Sequence, residues 1–309
     1  MSSVIIFGAG ASHGAGDVLP SKPPLGSGLF SELFKNFPES WGALSSEATT
    51  AFETSFEGGM KVIWNKYGGA IMELMRHMAL YFAQFRPRKI GSTAYASVAR
   101  ELKRRKLENQ VTLVTLNYEC LLETEFRYAG VELSYSLKEV HQHEMKILKP
   151  HGSCNFVPEG VSGPVSSIQM GRDAIIEMPV RVISNINEVI KHILAEALPP
   201  IMCLYMEGKP TQVARGTIKA IQKAAQDEVS MAKAVVVVGV HPNPQDTHIW
   251  YSIASCQGRV GYVGPSVQDF TEWAEEYRPE AENLILAEDF QTGVVQIADF
   301  IERSENAPQ

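Results

Sequence analysis

Short apolar runs rich in β-branched residues recur along this chain, at 4–7, 111–115, 145–148, 234–239 and 260–263, and small or polar residues follow each of them. A run that is apolar at every position reads as a strand covered on both faces, the condition of a parallel sheet. Stretches with apolar residues three and four apart lie between the runs, as in helices with one buried face. The alternation predicts an α/β chain whose parallel sheet carries helices on both faces. With 309 residues, 45% of them hydrophobic, the chain can bury a large core without a metal or disulfide staple. We expect a single domain over 1–309, with a helical insertion at about 28–90 and a loop/helix insertion at about 157–211.

Local signals fill in this outline. Residues 8–28 are rich in glycine and proline and read as loop. Residues 29–37 read as a helix, and 41–59, with their Ser, Thr and Gly content, as loosely packed helix and loop. Ile71, Leu74, Met75, Met78, Phe82 and Phe85 form one helical stripe that Pro87 ends. Ser92 is placed to cap a helix that turns Tyr95, Val98, Ala99 and Leu102 inward. Its basic tail, Lys103-Arg104-Arg105-Lys106, reads as a solvated helix end where cations suit the dipole. Further helices are expected at 117–128, 188–198 and 217–233. Ser266 with Asp269 is expected to open another, carrying Val267, Phe270, Ala274 and Tyr277 on one face. A last strand at 283–286 and a helix ending at Ile301 complete the reading.

Several function classes are disfavoured. The 28 Lys+Arg against 35 Asp+Glu give a formal net charge of −7, so the chain offers no global attraction for nucleic acid or an anionic membrane. This, with no acidic metal cluster, argues against a nuclease. The apolar run at 234–240 is far too short to span a bilayer. The first residues lack the basic flank and long apolar run of a signal peptide, so we expect a soluble, cytoplasmic protein. Cys120, Cys154, Cys203 and Cys256 stand apart without CxxC spacing, so four reduced thiols are expected rather than a zinc or thioredoxin-type site.

In an open parallel sheet, ligands bind beyond the carboxyl ends of the strands. Five predicted strand ends carry small or polar groups there. The first offers Gly8-Ala9-Gly10-Ala11-Ser12-His13-Gly14, a GxGxxxG loop whose free N–H groups suit a phosphate. It differs from the GxGxxG dinucleotide fingerprint and has no acidic second-strand end in reach. A tight strand-to-helix turn without a ligand is the competing reading. Next come Thr115-Leu116-Asn117-Tyr118-Glu119, then His151-Gly152-Ser153, then Gly239-Val240-His241 with Asp246 further on, then Gly264-Pro265-Ser266. Asn117 can donate and accept, and so can orient a ribose hydroxyl or a water. An imidazole titrates near neutral pH, so His151 can take a proton from either. His141 and His143 form an HxH pair with no third ligand at suitable spacing, and a solvated loop is the better reading.

The ordered series Gly8-Ala9-Gly10-Ala11-Ser12, Thr115-Leu116-Asn117-Tyr118-Glu119 and Lys149-Pro150-His151-Gly152-Ser153, continued by 239–246 and Gly264-Pro265, resembles the sirtuin superfamily. The resemblance runs through nearly the whole chain and implies a sirtuin-like, Rossmann-like fold. It places the phosphate cradle of NAD on Gly8, Gly10, Ala11 and Ser12, a residue beside the nicotinamide ribose on Asn117, and the base on His151. Further cofactor contacts fall on Gly239, Asp246 and Gly264. The chain departs from the family in four ways. It has no paired cysteines for the small zinc domain of deacylases. Residues 16–26 do not follow the family's GIPDFR pattern. Glu119 stands where Asp is usual. His241 and Gly264 replace a Ser/Thr and an Asn.

The pattern is most similar to the bacterial sirtuin-like branch that hydrolyses NAD. This implies an NAD glycohydrolase that uses NAD as substrate, needs no metal and depletes NAD in anti-phage defence. It also implies a homo-oligomer, in some members with a helicase-like hexameric ATPase as partner. A non-catalytic sensor of NAD or ADP-ribose, or an assembly subunit of a defence complex, is the alternative.

Overall fold

The structure, a computed structural model, describes residues 2–67, 71–137, 141, 143–165, 167–168, 170–171, 174–206, 208, 210–243, 246 and 249–306. The first strand, β1 (Ser3–Phe7), lies in the middle of the sheet. Chain order then gives β2 (Val18–Leu19), β3 (Arg86–Pro87), β4 (Val111–Thr115), β5 (Glu132–Ser134), β6 (Glu144–Leu148), β7 (Phe156–Pro158), β8 (Val180–Val182), β9 (Ala234–Val238), β10 (Arg259–Val263) and β11 (Asn283–Ala287). Seven of these build one sheet in the order β11-β10-β9-β1-β4-β6-β5. Every neighbouring pair in it is parallel. β2 with β3 and β7 with β8 form two small antiparallel ribbons.

The helices follow as α1 (Ala9–His13), α2 (Gly26–Asn36), α3 (Ser46–Thr54), α4 (Phe56–Tyr67), α5 (Ile71–Ala83), α6 (Ala94–Arg104), α7 (Leu121–Tyr128), α8 (Ile186–Ala195), α9 (Arg215–Ser230), α10 (Trp250–Ser255), α11 (Val267–Tyr277) and α12 (Val294–Asn306). Side chains alternate across a strand, and the two faces feed separate cores. Ile5, Phe7, Val236 and Val238 pack with α6, α7, α12 and the inserted helices. Val4, Ile6, Val235 and Val237 pack with α9, α10 and α11. Burial on both sides is the reason these strands are apolar throughout, and the expected α/β architecture is found.

Helices α2 to α5 lie between β2 and β3, and β7, β8 and α8 lie between β6 and α9. Residues 41–59 are not loosely packed. Trp41 is fully buried and donates its indole N–H to the Leu74 carbonyl at 3.2 Å. Phe52 meets Trp41 edge-on, and Phe56 stacks on it. The Ser and Thr residues of this segment gave the misleading signal. They lie on the wet side of α3 or cap it, as Ser45 does.

Several local expectations are corrected. Residues 8–28 contain α1, β2 and the start of α2 rather than loop alone. The cap of α6 is Thr93, whose hydroxyl accepts from the Ala96 N–H, while Ser92 Oγ donates to the Lys89 carbonyl. Residues 117–120 are not helical, and α7 starts at Leu121. Ser266 makes no side-chain cap on α11. Its hydroxyl pairs with His241 Nδ1 at 3.0 Å. The short strand β5 at the sheet edge gave no apolar run to detect.

The basic tail of α6 is not simply solvated. Arg105 is nearly buried and reaches Asp299 at 2.6 Å and Glu302 at 2.8 Å on α12, as well as Glu101. Lys103 donates to the Ala129 and Gly130 carbonyls. Arg105 thus ties α12 to α6 beneath the sheet. Because its acidic partners are partly exposed, Arg105→Ala is expected to cost only about 1 kcal/mol. Urea unfolding at low and high salt checks this. The wild type should lose stability with salt, and the variant should not.

Candidate functional site

The carboxyl edge of β9, β1, β4 and β6 brings together most of the residues singled out by sequence. β1 runs directly into α1, with Gly8 as the residue before the helix. The Gly8 N–H donates to Val238 O and the Gly10 N–H to Gly239 O, each at 2.9 Å. A Cβ on Gly10 would lie 2.8 Å from that Gly239 oxygen, and one on Gly239 would lie 2.1 Å from the Ala11 nitrogen. Gly239 also has φ +63°, which favours glycine. In this geometry glycine is required so that two backbones can touch where strand order reverses between β1 and β9. The Gly8 and Gly10 N–H groups are held by protein carbonyls. Gly239→Ala should therefore cost at least about 2 kcal/mol, read from the urea midpoint.

Ser12, Asn117, Glu119 and Tyr95 form one buried network beside this contact. Asn117 Nδ2 donates to Gly8 O and to Ser12 Oγ, both at 2.9 Å. Ser12 Oγ donates to Glu119 Oε1 at 2.5 Å and meets Tyr95 OH at 2.8 Å. Glu119 Oε2 accepts the Leu121 N–H at 2.6 Å. The longer Glu side chain thus spans from α1 to the first turn of α7. Burial pushes the Glu119 carboxyl above the usual carboxylate range, against the pull of Lys149. Burial, reinforced by Glu119, likewise pushes the Tyr95 phenol well up. With its N–H groups donated inward, Asn117 has Oδ1 to orient a hydroxyl or a water.

His151 sits on the turn after β6. Its Nδ1 lies 3.2 Å from Leu116 O, the carbonyl preceding Asn117. That bond puts the ring proton on Nδ1 and makes Nε2 the basic nitrogen. The turn is strapped by residues 201–203: Ser153 N–H donates to Ile201 O, and Cys203 N–H donates to His151 O. Gly152 has φ +74°, and a Cβ there would lie 2.3 Å from Ile201 O. Below the turn, Lys149 is fully buried and donates to Glu123 Oε1 and to Glu119 O, both at 2.7 Å. Burial opposes its charge, but Glu123, Cys120 and Glu119 outweigh it and hold the ammonium above the ordinary lysine range. Tyr135 OH also donates to Glu123 Oε1, at 3.2 Å.

His151 and Asn117 are therefore held on adjoining turns. The cavity lined by His151, Pro150, Gln222, Ile249 and Ser252 is about 10 Å³, room for one water. Gln222 donates to Pro150 O at 3.1 Å. It also borders an open groove of about 360 Å³ with Arg215 and Lys219 on its wall. The two cations on its wall suit an anion.

The remaining expected contacts lie further out. Asp246 is half-buried, and its backbone carbonyl accepts the Trp250 N–H at the start of α10. Gly264 donates its N–H to Ala287 O. His241 is exposed, 3.6 Å from the Asp269 carboxylate. His141 and His143 are exposed. Among the described residues, no group of three or more His, Cys, Asp or Glu is placed to hold a metal. No helix of the described residues is long and apolar enough to cross a membrane.

Comparison with known proteins adds only a fold-level likeness. No protein-family profile matches the chain. No curated protein sequence matches it. Among solved structures it is similar to a mutant Sir2 homologue in complex with ADP-ribose, at 15% identity over 99% of this chain and 94% of that one, with a TM-score of 0.46. A structure described as the basis for the mechanism and regulation of Sir2 enzymes gives 16% identity over 97% and 92%, with a TM-score of 0.47. A Sir2 homologue–NAD complex gives 14% over 98% and 89%, with a TM-score of 0.44. The functional reading rests on the residues at the sheet edge.

Sequence reading missed three members of the site: Tyr95, Glu123 and the role of Lys149. Tyr95 looked like one more inward residue of an amphipathic helix. Glu123 lies in the first turn of α7, and a buried Lys149 was hidden in a motif that drew attention to His151.

Proposed function

We propose that this protein is an NAD glycohydrolase that cleaves NAD to nicotinamide and ADP-ribose. One observation supports the reading above all: the His151 imidazole, held by Leu116 O with Nε2 as its basic nitrogen, stands on the turn next to Asn117, whose side chain reaches Gly8 O and Ser12 Oγ beside the β1–β9 switch point. The Gly8-to-Ser12 turn flanks the same edge, where a phosphate would lie, and Gly239, Asp246 and Gly264 would serve the rest of the nucleotide. NAD is the substrate. Its C–N glycosidic bond breaks with the electron pair leaving on nicotinamide, which neutralises the pyridinium. Asn117 Oδ1 orients a ribose hydroxyl or the attacking water. His151 Nε2 takes the proton as water bonds to the anomeric carbon. Buried and rigid, Ser12, Glu119 and Tyr95 keep Asn117 in register.

The ordered motifs further support a cytoplasmic NAD-depleting role in bacterial anti-phage defence, exercised as a homo-oligomer with a helicase-like hexameric ATPase as partner. Incubation with NAD, followed by chromatography, tests the activity: nicotinamide and ADP-ribose should appear together, and intact NAD after prolonged incubation with the assembled protein contradicts it. The same motifs leave one second reading, a sensor or assembly subunit that binds NAD or ADP-ribose without turnover. Calorimetric binding with no product separates the two.

A further inference from the structure

Cys120 and Cys154 are far apart in sequence, yet their sulfurs lie 3.8 Å apart. Cys120 precedes α7, three residues after Asn117, and is half-buried. Cys154 is fully buried, three residues after His151. Their turns are joined by the Cys154 N–H to Tyr118 O bond at 2.9 Å and by Ser153 Oγ to the same oxygen at 3.1 Å. Cys203 and Cys256 lie elsewhere, against Pro150 O and Ala232 O.

We propose that Cys120 and Cys154 form a site of reversible oxidation that takes hydrogen peroxide and closes to an intramolecular disulfide. Cys120, the less buried residue of the two, attacks one peroxide oxygen through its sulfur. The O–O bond breaks, the first water leaves, and Cys120 becomes a sulfenic acid. The Cys154 sulfur then attacks the Cys120 sulfur, the S–O bond breaks, and a second water leaves. Two thiols lose two electrons and two protons, and the peroxide is reduced to two waters. The sulfurs must close by about 1.8 Å to reach a disulfide bond length, a distance that side-chain rotation covers because the backbones are already joined.

The Cys154 thiol and burial push the Cys120 thiol up, Glu123 adds to this, and Lys149 opposes it. Tyr135 faces the same group. The thiolate is the attacking form, so closure runs faster at pH 9 than at pH 7.

The test is exposure of the full chain to hydrogen peroxide, then unfolding, alkylation and mass spectrometry. Two of the four thiols should resist alkylation, the intact mass before alkylation should fall by about 2 Da, and a peptide should link Cys120 to Cys154. Dithiothreitol should restore four thiols. Cys154→Ser should stop at a sulfenic acid on Cys120 that dimedone captures, and Cys120→Ser should form no link. The oxidised protein should melt about 5 °C higher. Four alkylated thiols after peroxide, a link that survives in Cys154→Ser, or a link through Cys203 or Cys256 overturns the proposal. None of these readouts depends on NAD cleavage.

Discussion

Lys149→Met is expected to lower stability by about 3–5 kcal/mol, because it leaves the Glu123 carboxylate buried without its cation. The two side chains are 0% and 1% exposed and 2.7 Å apart. Water cannot reach Glu123 to replace what Lys149 supplies, and the Glu119 carbonyl loses its donor as well. The double variant Lys149→Met with Glu123→Leu should regain most of the loss, since an apolar pair of similar volume removes both desolvation costs. Denaturant midpoints of the two single variants and the double variant measure the coupling. A single variant within 1 kcal/mol of wild type contradicts a closed ion pair. The sign of the pH effect follows from the raised Lys149 pKa. The contribution is complete below the ordinary lysine value of about 10.4 and fades as pH rises beyond it.

His151→Ala is expected to lower the rate of nicotinamide release by about 10²- to 10⁴-fold, the usual contribution of a general base. Stability should fall much less, by about 1 kcal/mol, because the ring gives up one hydrogen bond to the Leu116 carbonyl. The separation of the two readouts carries the test. A residue that merely filled space would lose stability and activity together. Asn117→Ala should also reduce turnover. It removes two hydrogen bonds, to Gly8 O and Ser12 Oγ, which keep only the Ala11 N–H and Tyr95 OH, so its stability loss should exceed that of His151→Ala. Circular dichroism melts run beside the assay separate the two effects.

The strands were legible because burial on both faces forces an unbroken apolar run, as Ala234–Val238 shows. The edge strand Glu132–Ser134 has only β6 beside it and is partly exposed, so nothing demanded such a run. The glycine turn was recognised, but its physical cause was not. Gly8 and Gly10 admit the Gly239 backbone, a long-range contact that spacing does not encode. Arg105 looked solvated because its partners, Asp299 and Glu302, lie almost two hundred residues away on α12. The same limit hid the Lys149–Glu123 pair and the Cys120–Cys154 contact. Asn117 and His151 could be placed at one edge because both follow strands directly, and parallel strands deliver their carboxyl ends to the same side.

The proposed reaction requires Asn117 and His151 to act on one nucleotide. A crystal structure of the protein with ADP-ribose bound tests it most directly. Ribose hydroxyls should lie within about 2.6–3.2 Å of Asn117 Oδ1 and His151 Nε2, with the diphosphate beside the turn that starts at Gly8. A nucleotide seated elsewhere, with neither side chain within reach of its ribose, contradicts it.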